Sequence, residues 1–475
     1  MEPLNGFDAT WLYLETDETP MHVGAFQLFR LPERLESGGF ASAITAQIGA
    51  RLHLVPAFRR RLSFTPLNLD HPVWIEDGGF ELKNHIFAHQ LPAGAGLADA
   101  VRLVEAEHAK PLSHAKPLWE VHVIEGLKSG EAALYVKLHH AVTDNDGGQS
   151  TMRILCDISP HPEPMVAGVD DWEGEADPGF LKSVSRVAWT MLDAPGRTAR
   201  ALPSIARAAL RMGKVAVTRT EQFAELMGPV SPFNAPLTPE RSMALFDVPF
   251  ETIKDLAVRG EAGVTDIVLA AAGGAVRAYL MKRDALPHRA MTALTPYSTR
   301  DPDDGAVEDR LSVILASLAT DRSGPLARLE AIKASVESGR MAFEQDEGAP
   351  FAPYSVLGAP AILRGLVGAY GRLELAGKHR PMLGNLVVSN VVGVSKPLYV
   401  AGAEMVANWP LAWLLPGQAL NIAAQSYRDR LYVTVLGCPA AVEAPDELAA
   451  LFRMELAILD EALPKAKDLK HKAVA

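Results

Sequence analysis

The chain has 475 residues, 48% of them hydrophobic and 22% charged, and carries a formal charge of −11 at pH 7. That composition excludes a disordered chain, a collagen-like chain and a disulfide scaffold, and the negative balance speaks against nucleic acid as a partner. The two cysteines, Cys156 and Cys438, form no CxxC pair, so a disulfide framework and a zinc ribbon are both excluded and a reducing cytoplasm is expected.

Length alone predicts about two to four domains at roughly 100–200 residues each. The opening MEPLNGFDATWLYLETDETPMHVG has no basic stretch followed by an apolar one, so no signal peptide is expected. No uncharged apolar run approaches the ~18–20 residues of a bilayer span. The longest, Ile267 to Val276, stops at Arg277.

Strand-like and helix-like segments alternate from Ala25 to Pro160. Phe26–Leu28 reads as a short strand and Ala41–Leu54 as a helix. Val101–Ala109 reads as helical, and Trp119–Ile124 and Ala132–His140 as strands joined by a Lys-Ser-Gly-Glu turn. From Ser159 to Glu175, prolines, glycines and four acids predict an exposed linker.

The next stretch, Lys182 to Arg219, holds eight basic residues against one acid, Asp193, which makes it +7 and leaves −18 on the rest. Its basic residues recur at helical spacing, which fits either a solvated connector or an interfacial helix drawn to anionic lipid. Pro195 and Pro203 interrupt it.

Beyond Met243, Thr265–Leu280 predicts a buried helix rich in small residues. Met291–Pro296, Leu386–Asn390, Leu420–Ser426 and Leu431–Leu436 predict strands, and Val356–Tyr370 either a core helix or a lipid-facing wall. Ala444–Leu463, opened by Pro445-Asp446-Glu447, predicts a closing helix. The expected organisation is α/β (α+β): an N-terminal half over 1–160, a Pro-rich then basic connector over 161–240, and a C-terminal half over 241–475. A small-molecule site is expected between such halves.

No G-x-S-x-G elbow, P-loop or G-x-G-x-x-G occurs, which removes the main support for serine-hydrolase and nucleotide readings. The chemistry-bearing segment is Leu138-His139-His140-Ala141-Val142-Thr143-Asp144-Asn145. Strand parity puts His140 with Leu134, Val136 and Leu138 on an apolar face, and His139 with Tyr135 and Lys137 on the other. A neutral imidazole on the apolar side suits a general base near pH 7. A structural histidine pair is the alternative. A metal site is disfavoured because neighbours on opposite faces rarely converge. Asp144 would either pair with an arginine or contact the imidazole.

His-His-x-x-x-Asp resembles the active-site signature of the bacterial wax ester synthase/acyl-CoA:diacylglycerol acyltransferase family. The likeness extends to Pro3-Leu4-Asn5-Gly6-Phe7-Asp8, Pro20-Met21-His22-Val23-Gly24-Ala25, Pro56-Ala57-Phe58-Arg59-Arg60-Arg61-Leu62 and Lys116-Pro117-Leu118-Trp119-Glu120. It continues through Pro296-Tyr297-Ser298-Thr299-Arg300, Ser389-Asn390-Val391-Val392-Gly393 and Leu420-Asn421-Ile422. The resemblance implies two chloramphenicol-acetyltransferase-like halves with a substrate tunnel at their interface. It implies transfer of a long-chain acyl group from acyl-CoA, as substrate, to diacylglycerol or a fatty alcohol, with no further cofactor and no metal. His140 would be the base, with His139 and Asp144 orienting it. Thr265, Asp266, Ser389, Asn390 and Arg300 would serve the oxyanion or support the site, with Arg300 a buried partner for Asp144 or Asp266 and Ser389 and Asn390 equally suited to a cap or turn. Pro117 and Leu118 would meet substrate, and Trp119 would pack in the core or touch substrate. A cytoplasmic protein is expected, associated peripherally with the inner face of the membrane or with lipid inclusions.

Five positions depart from the family pattern: Asn145 for glycine, Thr265 for asparagine, Val392 for proline, and Cys438-Pro439 for an Asp-Arg pair. These departures raise the alternatives of another acceptor or a weakened, lipid-binding relative.

Overall fold

The computed structural model describes residues 2–4, 6–35, 39–65, 71–142, 155–162, 172–177, 179, 185, 227–298, 311–345 and 382–465. They divide into two units. The first holds the described residues up to 185 together with 396–408, and the second holds 227–345, 382–395 and 409–465. The expected division into 1–160, a connector and 241–475 therefore needs correcting: 172–185 belong to the first unit, 227–240 to the second, and a late segment, 396–408, returns to the first.

The first unit opens with β1 (Glu2–Pro3), α1 (Gly6–Leu14), β2 (His22–Arg30), α2 (Phe40–Arg51), β3 (Arg60–Ser63) and β4 (Val73–Glu76). Next come β5 (Ile86–Gln90), α3 (Leu97–His108), β6 (Trp119–Glu125) and β7 (Ala132–His139). The Gly96 N–H donates to the Asp99 carboxylate at 2.7 Å, which starts α3 four residues before the apolar pattern does. Two late strands, β14 (Tyr399–Val400) and β15 (Ala403–Leu411), complete a six-stranded mixed sheet in the order β14-β15-β2-β7-β6-β5. Backbone bonds between Asp157 and Tyr399 (2.8 Å each way) and an Arg30–Glu404 ion pair (2.9 Å) fasten the late segment.

Every residue of the central strand β7 is buried. A strand paired on both edges and covered on both faces loses its in/out alternation. The predicted linker also differs in part. Its described residues lie along the first unit: Glu175 N–H donates to the Glu76 carbonyl (2.9 Å), the Trp172 indole to the Glu76 carboxylate (2.8 Å), and Arg61 pairs with Asp177 (2.8 Å).

The second unit contains β8 (Met227–Gly228), β9 (Ser242–Pro249), α4 (Phe250–Arg259), α5 (Val264–Met281), β10 (Thr292–Ser298), β11 (Leu311–Ser317) and α6 (Pro325–Gln345). After these come β12 (Met382–Leu383), β13 (Leu386–Val391), β16 (Leu420–Tyr427), β17 (Arg430–Gly437) and α7 (Pro445–Ala462). Its sheet runs β11-β10-β13-β16-β17-β9, with β13 parallel to both neighbours.

Helix α5 is the core of this unit and contacts α4, α6 and α7. Its length and apolar character would suffice to cross a bilayer, yet 67% of it is buried inside the protein, the pattern of a core helix. The small residues explain the packing. A side chain at Gly273 would run into the Leu318 backbone carbonyl, and one at Gly274 into Glu455 of α7. Glu455 in turn takes a buried ion pair from Arg328 of α6 at 2.6 Å.

Candidate active site

The histidine pair sits where three strands of the first sheet end together. His139, the last residue of β7, donates its N–H to the Leu118 carbonyl at 3.0 Å. His140 donates its N–H to the Met21 carbonyl at 2.9 Å. The Pro-Leu-Trp and Pro-Met-His segments are thus the two backbone clamps on the pair. After His139 the chain leaves the sheet and enters a single 3₁₀ turn, His140–Val142.

This overturns the parity argument. Strand geometry stops at His139, so the turn rather than alternation aims His140, and β7 is buried on both faces in any case. His139 is fully buried. Its Nδ1 accepts the Ala141 N–H at 3.0 Å, so the neutral ring carries its proton on Nε2. That Nε2 lies 3.7 Å from Glu15 Oε1, and Glu15 Oε2 lies 2.6 Å from His114 Nε2. His140 is half-buried and stacks on the Trp11 indole, ring centroids 3.9 Å apart and planes 15° from parallel.

Burial sets the electrostatics. Desolvation lowers the His140 imidazole to about 4, against a small upward pull from its own backbone. Desolvation also holds His139 well below its ordinary value, and the neighbouring His114 and His140 push it the same way. Both rings are therefore neutral at pH 7, the state a base requires.

Glu15, His114 and His139 bring ligand-type atoms within 4.8 Å of one another. The His139 tautomer argues against a metal there, because its Nε2 carries the proton and cannot donate a lone pair.

In the second unit, Thr265 and Asp266 begin α5 while Ser389 and Asn390 end β13. The Asn390 amide donates to the Thr265 hydroxyl at 3.3 Å. Asp266 accepts the Gly263 N–H at 2.8 Å, a helix-capping role, and burial raises its carboxyl. Gly393 donates its N–H to Ser426 Oγ at 3.0 Å, and no Cβ fits there beside the Ser426 carbonyl. Val392 is 81% exposed, so this loop forms without the family's proline.

Trp119 takes the core role of its two expected ones. Its indole is 1% exposed, donates to the Phe58 carbonyl at 2.9 Å, and lies stacked with Phe58 and His85 at 4.5 Å each. Pro117 and Leu118 are buried too. Among the described residues Pro117 and Leu118 serve packing and backbone bonding, and Trp119 is covered by its neighbours. Asp144, Arg300, Asn145, the Val356–Tyr370 helix and all of the basic Lys182–Arg219 stretch except Ser185 lie outside the described residues. Trp11, Glu15 and His114 were not singled out in the sequence. The signal available was the four-residue spacing of Trp11 and Glu15, one turn apart on a helix face.

Comparison with known proteins follows the same line. The profile of the wax ester synthase/diacylglycerol acyltransferase catalytic domain matches residues 4–268, and that of the C-terminal domain of the same family matches residues 309–460. An O-acyltransferase of Acinetobacter baylyi is 30% identical over 99% of both chains. A putative diacylglycerol O-acyltransferase of Mycobacterium tuberculosis is 32% identical over 97% of this chain and 100% of its own.

Among solved structures, the wax ester synthase/diacylglycerol acyltransferase of Marinobacter aquaeolei superposes with a TM-score of 0.69 at 26% identity, covering 97% of this chain and 99% of that one. A starter condensation domain of rhizomide synthetase shares the fold at 14% identity with a TM-score of 0.54, over 97% and 94% of the two chains.

Proposed function

This chain belongs to the wax ester synthase/diacylglycerol acyltransferase family, and from that membership we propose that it transfers a long-chain acyl group from acyl-CoA to a hydroxyl acceptor with His140 as general base. The products are triacylglycerol from diacylglycerol, or wax ester from a fatty alcohol, with free CoA. The observation that carries the assignment is a half-buried imidazole stacked on Trp11, beside His139 on a chain held by the segments that lead into both neighbouring strands, with burial lowering its pKa.

The steps balance without a covalent enzyme intermediate. His140 takes the acceptor's hydroxyl proton as its oxygen attacks the thioester carbonyl. The tetrahedral oxyanion collapses, the carbon–sulfur bond breaks, and His140 returns the proton to the departing thiolate. A positioned base is worth typically ~10²–10⁴-fold, and a donor to the oxyanion ~10²–10³-fold. In the second unit, Thr265, Ser389 and Asn390 are the residues that the family resemblance offers for a support role. Thr265 keeps a hydroxyl proton to donate while accepting from Asn390. Acyl-CoA serves as substrate and no other cofactor takes part. The Lys182–Arg219 charge pattern supports peripheral attachment to an anionic lipid surface at the cytoplasmic face of the membrane or on lipid inclusions.

The test is thiol release from palmitoyl-CoA by the purified protein, with hexadecanol and dipalmitin offered in parallel and His140→Ala as control. Acceptor-dependent release that disappears in the variant is expected, and the faster acceptor names the branch. Release unchanged in His140→Ala overturns the base assignment. If neither acceptor gives release, the Thr265 departure favours the weakened relative, and Thr265→Asn should then restore turnover.

A further inference from the structure

We propose that α1 and the residue following it form a positioning template for the histidine pair, Trp11 holding the His140 ring by stacking and Glu15 holding His139. The inference rests on the assignment of His140 as the base. Trp11 and Glu15 are four residues apart, so one turn of helix delivers an indole face to one histidine and a carboxylate to the other.

The helix itself is anchored. Ala9, Leu12 and Tyr13 are buried in one cluster with Leu118 and Ala141. Leu118 accepts the His139 N–H, and Ala141 donates to the His139 ring. The helix is therefore packed onto the same residues that clamp the pair, and helix and histidines cannot shift independently.

Each contact does a different job. The indole covers one face of the His140 imidazole, excludes water from it and leaves the ring little freedom to rotate. Glu15 faces the protonated Nε2 of His139 at 3.7 Å, an electrostatic contact that favours this tautomer. His114 holds the second carboxylate oxygen from the other side. With the proton on Nε2, Nδ1 stays free to accept the Ala141 N–H, which closes the turn carrying His140. Neither residue touches the reacting atoms, so both are positioning residues.

The experiment uses the full chain with Trp11→Phe, Trp11→Ala, Glu15→Gln and Glu15→Ala, and takes two readouts. Palmitoyl-CoA-dependent thiol release gives kcat and KM. Ring-¹⁵N histidine spectra, titrated over pH, report tautomer and protonation whether or not the protein turns over. The two alanine variants should lose about 10²-fold in kcat, as a displaced catalytic group does. KM should stay within about twofold, because no substrate contact is removed. Trp11→Phe and Glu15→Gln should recover most of the loss.

In the spectra, Trp11→Ala should move the His140 titration upward towards 6.5 as water reaches the ring, and Glu15→Ala should weaken the Nε2–H tautomer of His139. Wild-type kcat in both alanine variants, or spectra unmoved by either substitution, overturns the template. Silence of the wild type in thiol release would instead count against acyl transfer, and the spectra would still decide the template.

Discussion

His140 is a weak base by its own affinity for protons, and it works because it is never protonated near neutrality. Held at about 4, the ring is neutral throughout the range in which an ordinary imidazole titrates. The acid limb of kcat/KM should therefore fall near pH 4 rather than 6.5, measured by thiol release in short assays. An acid limb between 6 and 7 would mean that water reaches the ring. Stability falls in the same direction along this axis, but over a higher window. Between pH 6.5 and 4 the unfolded chain takes up a proton that the folded imidazole refuses, so folding weakens as pH falls through this window. His139 and His22, both held well below the ordinary value by burial, add to that loss. Short assays are needed for this reason, since unfolding would otherwise imitate the titration of the base.

At the scale of elements, the small residues of α5 make a sharp prediction. In Gly273→Val the new side chain meets the backbone carbonyl of Leu318, which no rotamer change relieves. Overpacking of this kind costs about 1–3 kcal/mol, and denaturant unfolding should show that fall in midpoint. A variant as stable as wild type would mean that the helix can slide.

The legibility of such elements follows physical lines. Helices α5 and α7 and the strands of the β6–β7 hairpin were readable because local pattern and end signals agree with the fold. β15 was not read, although Ala403, Met405, Ala407, Trp409 and Leu411 alternate as buried residues. Helix α1 was seen only as part of a family-like opening. The histidine pair was found through its adjacency and its motif. Its partners were hidden, since His114 and Glu15 meet only through tertiary packing across about a hundred residues of chain.

For the whole molecule, the charge asymmetry is the property that reaches furthest. A +7 segment on a chain otherwise at −18 would favour an anionic surface over a neutral one. Sedimentation with anionic vesicles should capture the protein at low salt and release it as ionic strength rises, and deletion of 182–219 should abolish capture. Equal capture by neutral vesicles would remove the electrostatic argument. The −18 remainder also limits how the protein meets its own substrate, because CoA is itself an anion and long-range steering cannot draw it in without local positive charge.

The late return of β15 to the first sheet has a consequence during synthesis. β2 ends at Arg30 and its neighbour begins at Ala403. A ribosome adding roughly 5–20 residues per second takes about 20–75 s to cover that interval. Throughout it, one edge of β2 exposes unpaired N–H and C=O groups, the kind of template that recruits strands from other chains. The nascent first half is therefore most exposed to misassociation before the chain is complete. Chaperone demand during translation, more than the stability of the finished protein, should set how much of it a cell can accumulate.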